Sequence, residues 1–160
     1  MIEELTLPLT GGCACGAVRY RCDEKPLVQA ICHCRDCQRA SGGAFGALFV
    51  VPTDRVSYET KTPKYWEKKA DSGNTMQRGF CDNCGSPLSI YRPETPAMTF
   101  LTAASLDNPE LFQPQSEVWT SKASSWHPHC EHTKKFTDAP PDHAIKDIVV
   151  NYFRGRKTVT

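Results

Sequence analysis

The 160-residue sequence has no long hydrophobic run. No stretch approaches the roughly 20 apolar residues of a membrane-spanning helix, so no membrane association is expected. The start, Met1-Ile2-Glu3-Glu4-Leu5, is acidic and carries no apolar segment. No secretory signal is read there, and a reducing, cytoplasmic location is expected. An excess of either charge is also missing. Nineteen Lys and Arg stand against eighteen Asp and Glu, a formal +1, which argues against a general nucleic-acid binder. Repeats, low-complexity runs and obvious linkers are absent before residue 137. The expected organisation is one domain over 1–137 with a tail over 138–160, long enough to bury a core without help from a metal.

What the sequence does have is cysteine, nine in all. Without a secretion signal, paired cysteines point to metal binding more than to disulfides. Three of them fall in Cys32-His33-Cys34-Arg35-Asp36-Cys37. Thiolates are soft ligands that select zinc, copper(I) or iron–sulfur clusters. A structural zinc site has four protein ligands, whereas a catalytic one keeps a position open. No fourth cysteine of obvious spacing accompanies this trio. It reads as an open, reactive zinc site, a second structural site completed by His33 or a remote histidine, or a redox thiol group. Cys22, at the end of an alternating strand, reads as a small buried hydrophobe.

Two further pairs, Cys13/Cys15 and Cys81/Cys84, each lie beside glycine at a turn. Together they offer four sulfurs for a closed tetrahedral zinc site that clamps two distant segments. A disulfide or a rubredoxin-like iron site is the alternative, although the latter normally uses two C-x-x-C knuckles.

Alternation, β-forming residues and flanking turns predict strands over 17–22, 27–31, 55–60, 64–69, 75–80, 87–91, 97–101 and 117–120, and an apolar run closed by Pro52 predicts a buried strand over 44–51. Residues 34–41 carry no breaker and stop at Gly42-Gly43, which predicts a short helix whose first N–H groups face the thiolates. Short strands between turn signals predict a mainly β domain of antiparallel sheets. Trp126-His127-Pro128-His129-Cys130-Glu131-His132 is rich in metal-binding residue types, but its proline and tight spacing read as a flexible surface loop. Beyond it, Asp142 looks like an N-cap and Ile145, Ile148, Val149 and Tyr152 fall at helical spacing up to Gly155, predicting a tail helix. Its apolar stripe would pack on the body or on another copy, making a homo-oligomer.

The order and spacing of Gly12-Cys13-Ala14-Cys15-Gly16-Ala17-Val18-Arg19-Tyr20, Cys32-His33-Cys34-Arg35-Asp36-Cys37 with Ser41-Gly42, and Phe80-Cys81-Asp82-Asn83-Cys84-Gly85-Ser86 resemble the family of glutathione-dependent formaldehyde-activating enzymes and centromere protein V. The resemblance spans roughly residues 10–126 and implies a zinc-binding β-tent fold with two zinc ions per chain. It implies that Cys13, Cys15, Cys81 and Cys84 hold a structural zinc and that Cys32, Cys34 and Cys37 hold a catalytic one. It also implies carbon–sulfur lyase chemistry on an adduct of glutathione and formaldehyde, that is, a small thiol and a small aldehyde as partners. The motifs specify ligands, not a glutathione pocket; Arg35 and Arg39 are the cations nearest the trio in sequence. The centromere protein V branch suggests a rival role as a zinc-containing binding module, and thiol-based zinc or redox sensing is a third.

Overall fold

The structure is a computed structural model that describes residues 5–156, with the side chains of Asp142, His143 and Ile145 excepted. Among the described residues eleven strands form two sheets, with one short and one longer helix. The mainly β architecture, the helix after the cysteine trio and the tail helix are all borne out.

The small sheet consists of β1 (Leu9–Gly12), β2 (Arg19–Cys22) and β5 (Val56–Tyr58), in that order. The large sheet contains β3 (Val28–Cys32), β4 (Gly46–Pro52), β6 (Lys64–Lys69), β7 (Thr75–Phe80), β8 (Pro87–Tyr91), β9 (Met98–Thr102), β10 (Ser116–Val118) and β11 (Lys134–Lys135). Its order is β11-β10-β3-β4-β9-β8-β7-β6. The sheets are antiparallel, as expected, except at one edge, where β10 pairs parallel with both β3 and β11. A parallel pair needs a long crossover, and the chain supplies one between β3 and β10.

The sheets meet through a core of Leu9, Tyr20, Cys22, Phe49, Val51, Leu101 and Leu106. Cys22 is a core residue, as its strand position suggested. Side chains on a strand alternate between faces, and ladder partners share a face. Phe49 pairs with Leu101, and Leu101 with Ser89, on the core side. The neighbouring row, Val50–Phe100–Ile90–Arg78–Trp66, therefore lies on the opposite face across five strands. This second face is where the chemistry sits.

Helix α1 (Arg35–Ser41) packs against β4. Gly46 makes the close approach possible, since a Cβ there would stand 3.1 Å from the Cys37 Cβ. Gly42, at φ 71°, ends the helix in the left-handed conformation that glycine adopts without penalty. The tail helix α2 (Asp142–Arg156) runs through Gly155, one residue past the stop expected there. Its polar attachments are at the C-terminal half: Tyr152 donates to Glu24 at 2.8 Å and Arg156 lies 3.6 Å from Asp54. Ile148, a member of the expected stripe, remains exposed, as does Val150 outside it, so the stripe is not fully covered within the chain. The expected cap at Asp142 and the apolar contact of Ile145 fall on side chains outside the described set. Among the described residues no helix is long and apolar enough to cross a membrane.

Candidate metal centres and the adjoining cleft

The first cysteine pair follows β1 and the second follows β7. Each is folded back by backbone bonds: Cys13 N–H to Val18 O at 3.0 Å, and Gly85 N–H to Cys81 O at 2.8 Å. Gly85 has φ 77°, which an ordinary L-residue rarely adopts. The Ser86 hydroxyl ties the two knuckles together by accepting from Ala14 N–H at 3.1 Å. Buried Cys13 and Cys81 pack with Val18 and Leu88 in a small apolar cluster of their own.

All four sulfurs, from Cys13, Cys15, Cys81 and Cys84, lie within 4.8 Å of one another. Cys13 and Cys15 are 3.6 Å apart, and Cys15 and Cys81 3.8 Å. A tetrahedron with metal–sulfur bonds of about 2.3 Å has edges of about 3.8 Å, so the donor set fits a zinc ion. Donors already point at the sulfurs, from Val18 N–H to Cys13 and from the Asn83 amide to Cys15, both at 3.2 Å. Hydrogen bonds from Ser86, first its hydroxyl and then its N–H, help to lower the Cys84 thiol to about 5. All nine cysteines are free thiols, so the disulfide alternative is not realised.

The second group forms where β3 ends and α1 begins. The Cys32, Cys34 and Cys37 sulfurs also lie within 4.8 Å of one another, and no fourth Cys, His, Asp or Glu among the described residues joins them. Cys34 caps the helix, and the Cys37 N–H points at its sulfur at 3.4 Å. The expected orientation of the first helical N–H groups is thus realised in one bond. Hydrogen bonds from the Cys32 and then the Cys37 sulfhydryl hold Cys34 down at about 2, against the opposing effect of burial. Cys32, on the giving side of that exchange, is pushed up. The mutual bonds therefore favour the thiolate at Cys34, the form in which a cysteine can hold a metal.

His33 turns away from the trio. Its side chain is 2% exposed, and Nε2 donates to Glu117 Oε2 at 2.7 Å. Glu117, also buried, accepts in addition from His129 Nδ1 at 2.6 Å, Cys130 N–H at 2.7 Å and the Thr133 hydroxyl at 2.7 Å. Burial would raise this carboxyl, but the bonds from His129, Thr133, His33 and Cys130 outweigh it and bring it down to about 2. The reading of residues 126–132 as a loose surface loop is corrected here: His129 and Cys130 are tied to β10. His127 stacks edge-on against Phe45, with ring centroids 4.9 Å apart, while Trp126 stays exposed. His132 is exposed and takes no part in the cluster.

A cleft of about 480 Å³ opens beside Cys37 on the outer face of the large sheet. Arg39 lines it, whereas Arg35 turns to bond Gln38. The more intimate cation is Arg78, 8% exposed, with Nη2 3.8 Å from the Cys37 sulfur. Neither Arg78 nor Glu117 stands out in the sequence as a site residue. The only signal was parity: each sits mid-strand, where strand alternation assigns it a face but not its neighbours.

Residues 8–122 match the family model described as glutathione-dependent formaldehyde-activating enzyme. A Halomonas elongata protein named "Putative glutathione-dependent formaldehyde-activating enzyme" is 29% identical over 114 residues, which cover 69% of this chain and 72% of that protein. A Rhodobacter sphaeroides protein of known crystal structure superposes with a TM-score of 0.49 at 19% identity, covering 62% of this chain and 88% of that one. With well over half of its length matched, and with both cysteine groups assembled as described, the chain belongs to the glutathione-dependent formaldehyde-activating enzyme family.

Proposed function

We propose that the protein is a zinc enzyme that makes and breaks the carbon–sulfur bond of a thiol–aldehyde adduct. Glutathione, or a thiol like it, is the sulfur partner that the family implies, and formaldehyde is the implied aldehyde. Cys13, Cys15, Cys81 and Cys84 hold a structural zinc, and Cys32, Cys34 and Cys37 hold a catalytic one, two ions per chain. The zinc-binding domain covers 1–137, and 138–160 is an appended tail.

The observation that carries this reading is the difference in donor number. Four sulfurs converge at one group and three at the other, and the three-sulfur group borders a cleft. A metal held there by three thiolates supplies an open position for a fourth sulfur and lowers the pKa of the incoming thiol. Three anionic ligands make it a weak Lewis acid, which favours sulfur chemistry over hydrolysis.

The chain's own residues do the rest. Cys32, Cys34 and Cys37 serve as ligands, not nucleophiles. The substrate sulfur attacks the carbonyl carbon, and in reverse the hemithioacetal releases aldehyde and thiol. Arg39, exposed at the cleft, is available to a substrate carboxylate. The His33–Glu117 bond fixes the backbone between two ligands and so restrains the trio.

Cobalt substitution tests the reading. The expected result is a change in the sulfur-to-metal charge-transfer band when glutathione is added, lost in Cys34→Ser with the fold retained. A spectrum indifferent to glutathione and to other small thiols would leave the zinc-containing binding module as the better account.

A further inference from the structure

The cleft is larger and more apolar than formaldehyde requires. Formaldehyde displaces little more than a water molecule, whose share of liquid volume is ~30 Å³, whereas the solvent-open cleft offers about 480 Å³. Its walls include Leu48, Phe80, Pro87, Ile90 and Trp66. No acidic side chain lines it, so the ammonium group of a glutathione-like thiol has no partner inside.

Arg78 sits in the midst of these walls, between its ladder partners Trp66 and Ile90. Buried cations are ordinarily paired with carboxylates. Among the described residues no acidic side chain forms an ion pair with Arg78, and its one side-chain hydrogen-bond partner is the Cys37 sulfur at 3.8 Å. A guanidinium has five N–H donors in a rigid plane, and a single sulfur contact does not use them.

We propose that this cleft is a carbonyl-substrate site, in which Arg78 receives the substrate oxygen and the apolar walls take an aryl or branched alkyl substituent. The substrate class is therefore an aldehyde larger than formaldehyde, or its hemithioacetal. The proposal rests on the reading that the substrate thiol enters at the Cys32/Cys34/Cys37 group. As the sulfur lone pair forms the new carbon–sulfur bond, the carbonyl π pair moves onto oxygen. The alkoxide accepts hydrogen bonds from Arg78, which keeps its own protons, and is then protonated by water. In reverse the hydroxyl proton returns to water, the carbon–oxygen double bond reforms and the carbon–sulfur pair returns to the thiolate. Placed against an oxygen whose charge develops during the reaction, such a donor acts mainly on the transition state.

The test uses the zinc-loaded protein and benzoate, an aryl oxyanion that needs no thiol. Binding is followed by calorimetry and by the fluorescence of Trp66, with Trp66→Phe identifying the signal. Saturable binding is expected, weakened at least tenfold in Arg78→Met and less in Arg78→Lys. Ala104→Phe, at the exposed rim, should block it while zinc content and circular dichroism stay unchanged. In the turnover arm, thiol-dependent kcat/KM should favour benzaldehyde over formaldehyde, and Arg78→Met should lower kcat for benzaldehyde about 100-fold. Failure of benzoate to bind, equal binding to Arg78→Met, or loss only in Arg39→Met would overturn the proposal. These outcomes do not depend on the cobalt–thiol spectrum, so failure here is distinct from failure of thiol coordination.

Discussion

The His33 imidazole and the Glu117 carboxylate face each other across 2.7 Å, and neither side chain is more than 2% exposed. They are separated by 84 positions in the chain. The bond joins the segment between Cys32 and Cys34 to β10, and through His129, Cys130 and Thr133 to the loop beyond it. Removing the carboxylate takes the acceptor from His33, His129 and the Cys130 N–H, and leaves the Thr133 hydroxyl only the Cys130 carbonyl. Glu117→Ala should cost about 2–4 kcal/mol, within the range for breaking a buried, charge-assisted network. Urea unfolding of the zinc-loaded protein would measure it, and a loss under about 0.5 kcal/mol would show that the loop and β10 hold without the carboxylate.

The same group gives a pH dependence of known sign. Its folded pKa, about 2, lies below the ordinary 4.5. The unfolded state therefore binds the proton more readily, so the contribution is fully present above about pH 4.5 and is lost as pH falls towards 2. At neutral pH it amounts to about 3 kcal/mol. Acid also releases metal from thiolates, so the quantity to follow is the stability difference between wild type and Glu117→Gln. That difference should shrink between pH 5 and 3, and a constant difference would place the stabilisation elsewhere.

The two metal groups should differ in lability. Four sulfurs would enclose one ion and three the other, and the three-sulfur group borders a cleft. A mild chelator should remove the Cys32/Cys34/Cys37 metal first, with circular dichroism unchanged. Cys81→Ser should be the more damaging substitution, because it removes a fully buried sulfur that sets β7 against the β1 turn, and a structural zinc held there would contribute directly to folding. Simultaneous loss of both ions, or unfolding with the first, contradicts this division.

Much of this architecture was legible in the sequence because it rests on local pattern. The alternation over 64–69, 75–80 and 87–91 returned β6, β7 and β8 with their observed bounds. Spacing alone grouped the sulfurs, since a C-x-C or C-x-x-C pair leaves few other geometries. Apart from the meeting of the two cysteine pairs, contacts between distant segments were not legible. β1 was hidden in Leu9–Gly12, where two glycines look like a turn, although pairing with β2 makes them a strand. β11 is two lysines whose only strand credential is the partner beside them. The histidine-rich loop looked mobile because its anchor, Glu117, is remote from the residues that define it and belongs to another element.

Gly11 marks a place where two layers touch too closely for any side chain. A Cβ there would lie 2.3 Å from the Ser105 carbonyl oxygen and 2.4 Å from the Tyr20 hydroxyl oxygen. Tyr20 is fully buried and bonded to Ser105 at 2.8 Å, so neither neighbour is free to move aside. Gly11→Ala should cost about 1–3 kcal/mol, typical of overpacking. For a domain of this size that corresponds to a fall in Tm of about 2–4 °C per kcal/mol. An unchanged or raised Tm would mean that the sheet separates there at little cost.

The Asn83 side chain offers a finer test of the closed metal group. Its amide donates to the Cys15 sulfur at 3.2 Å, and Cys15 is an exposed member whose sulfur lies 3.6 Å from that of Cys13 and 3.8 Å from that of Cys81. A donor to a thiolate draws off part of its charge and fixes its direction, and loss of such an outer partner typically costs about 10–100-fold in metal affinity. Asn83→Leu should therefore accelerate zinc release from the four-sulfur group in a chelator competition while leaving release from the other group unchanged. Asn83→Asp should release zinc faster still, because a carboxylate beside an anionic tetrathiolate adds repulsion to the lost bond. Asn83→Gln, which keeps an amide on a longer arm, should fall between wild type and Leu. If all three variants release zinc at the wild-type rate, the contact is incidental and the turn backbone alone orients Cys15.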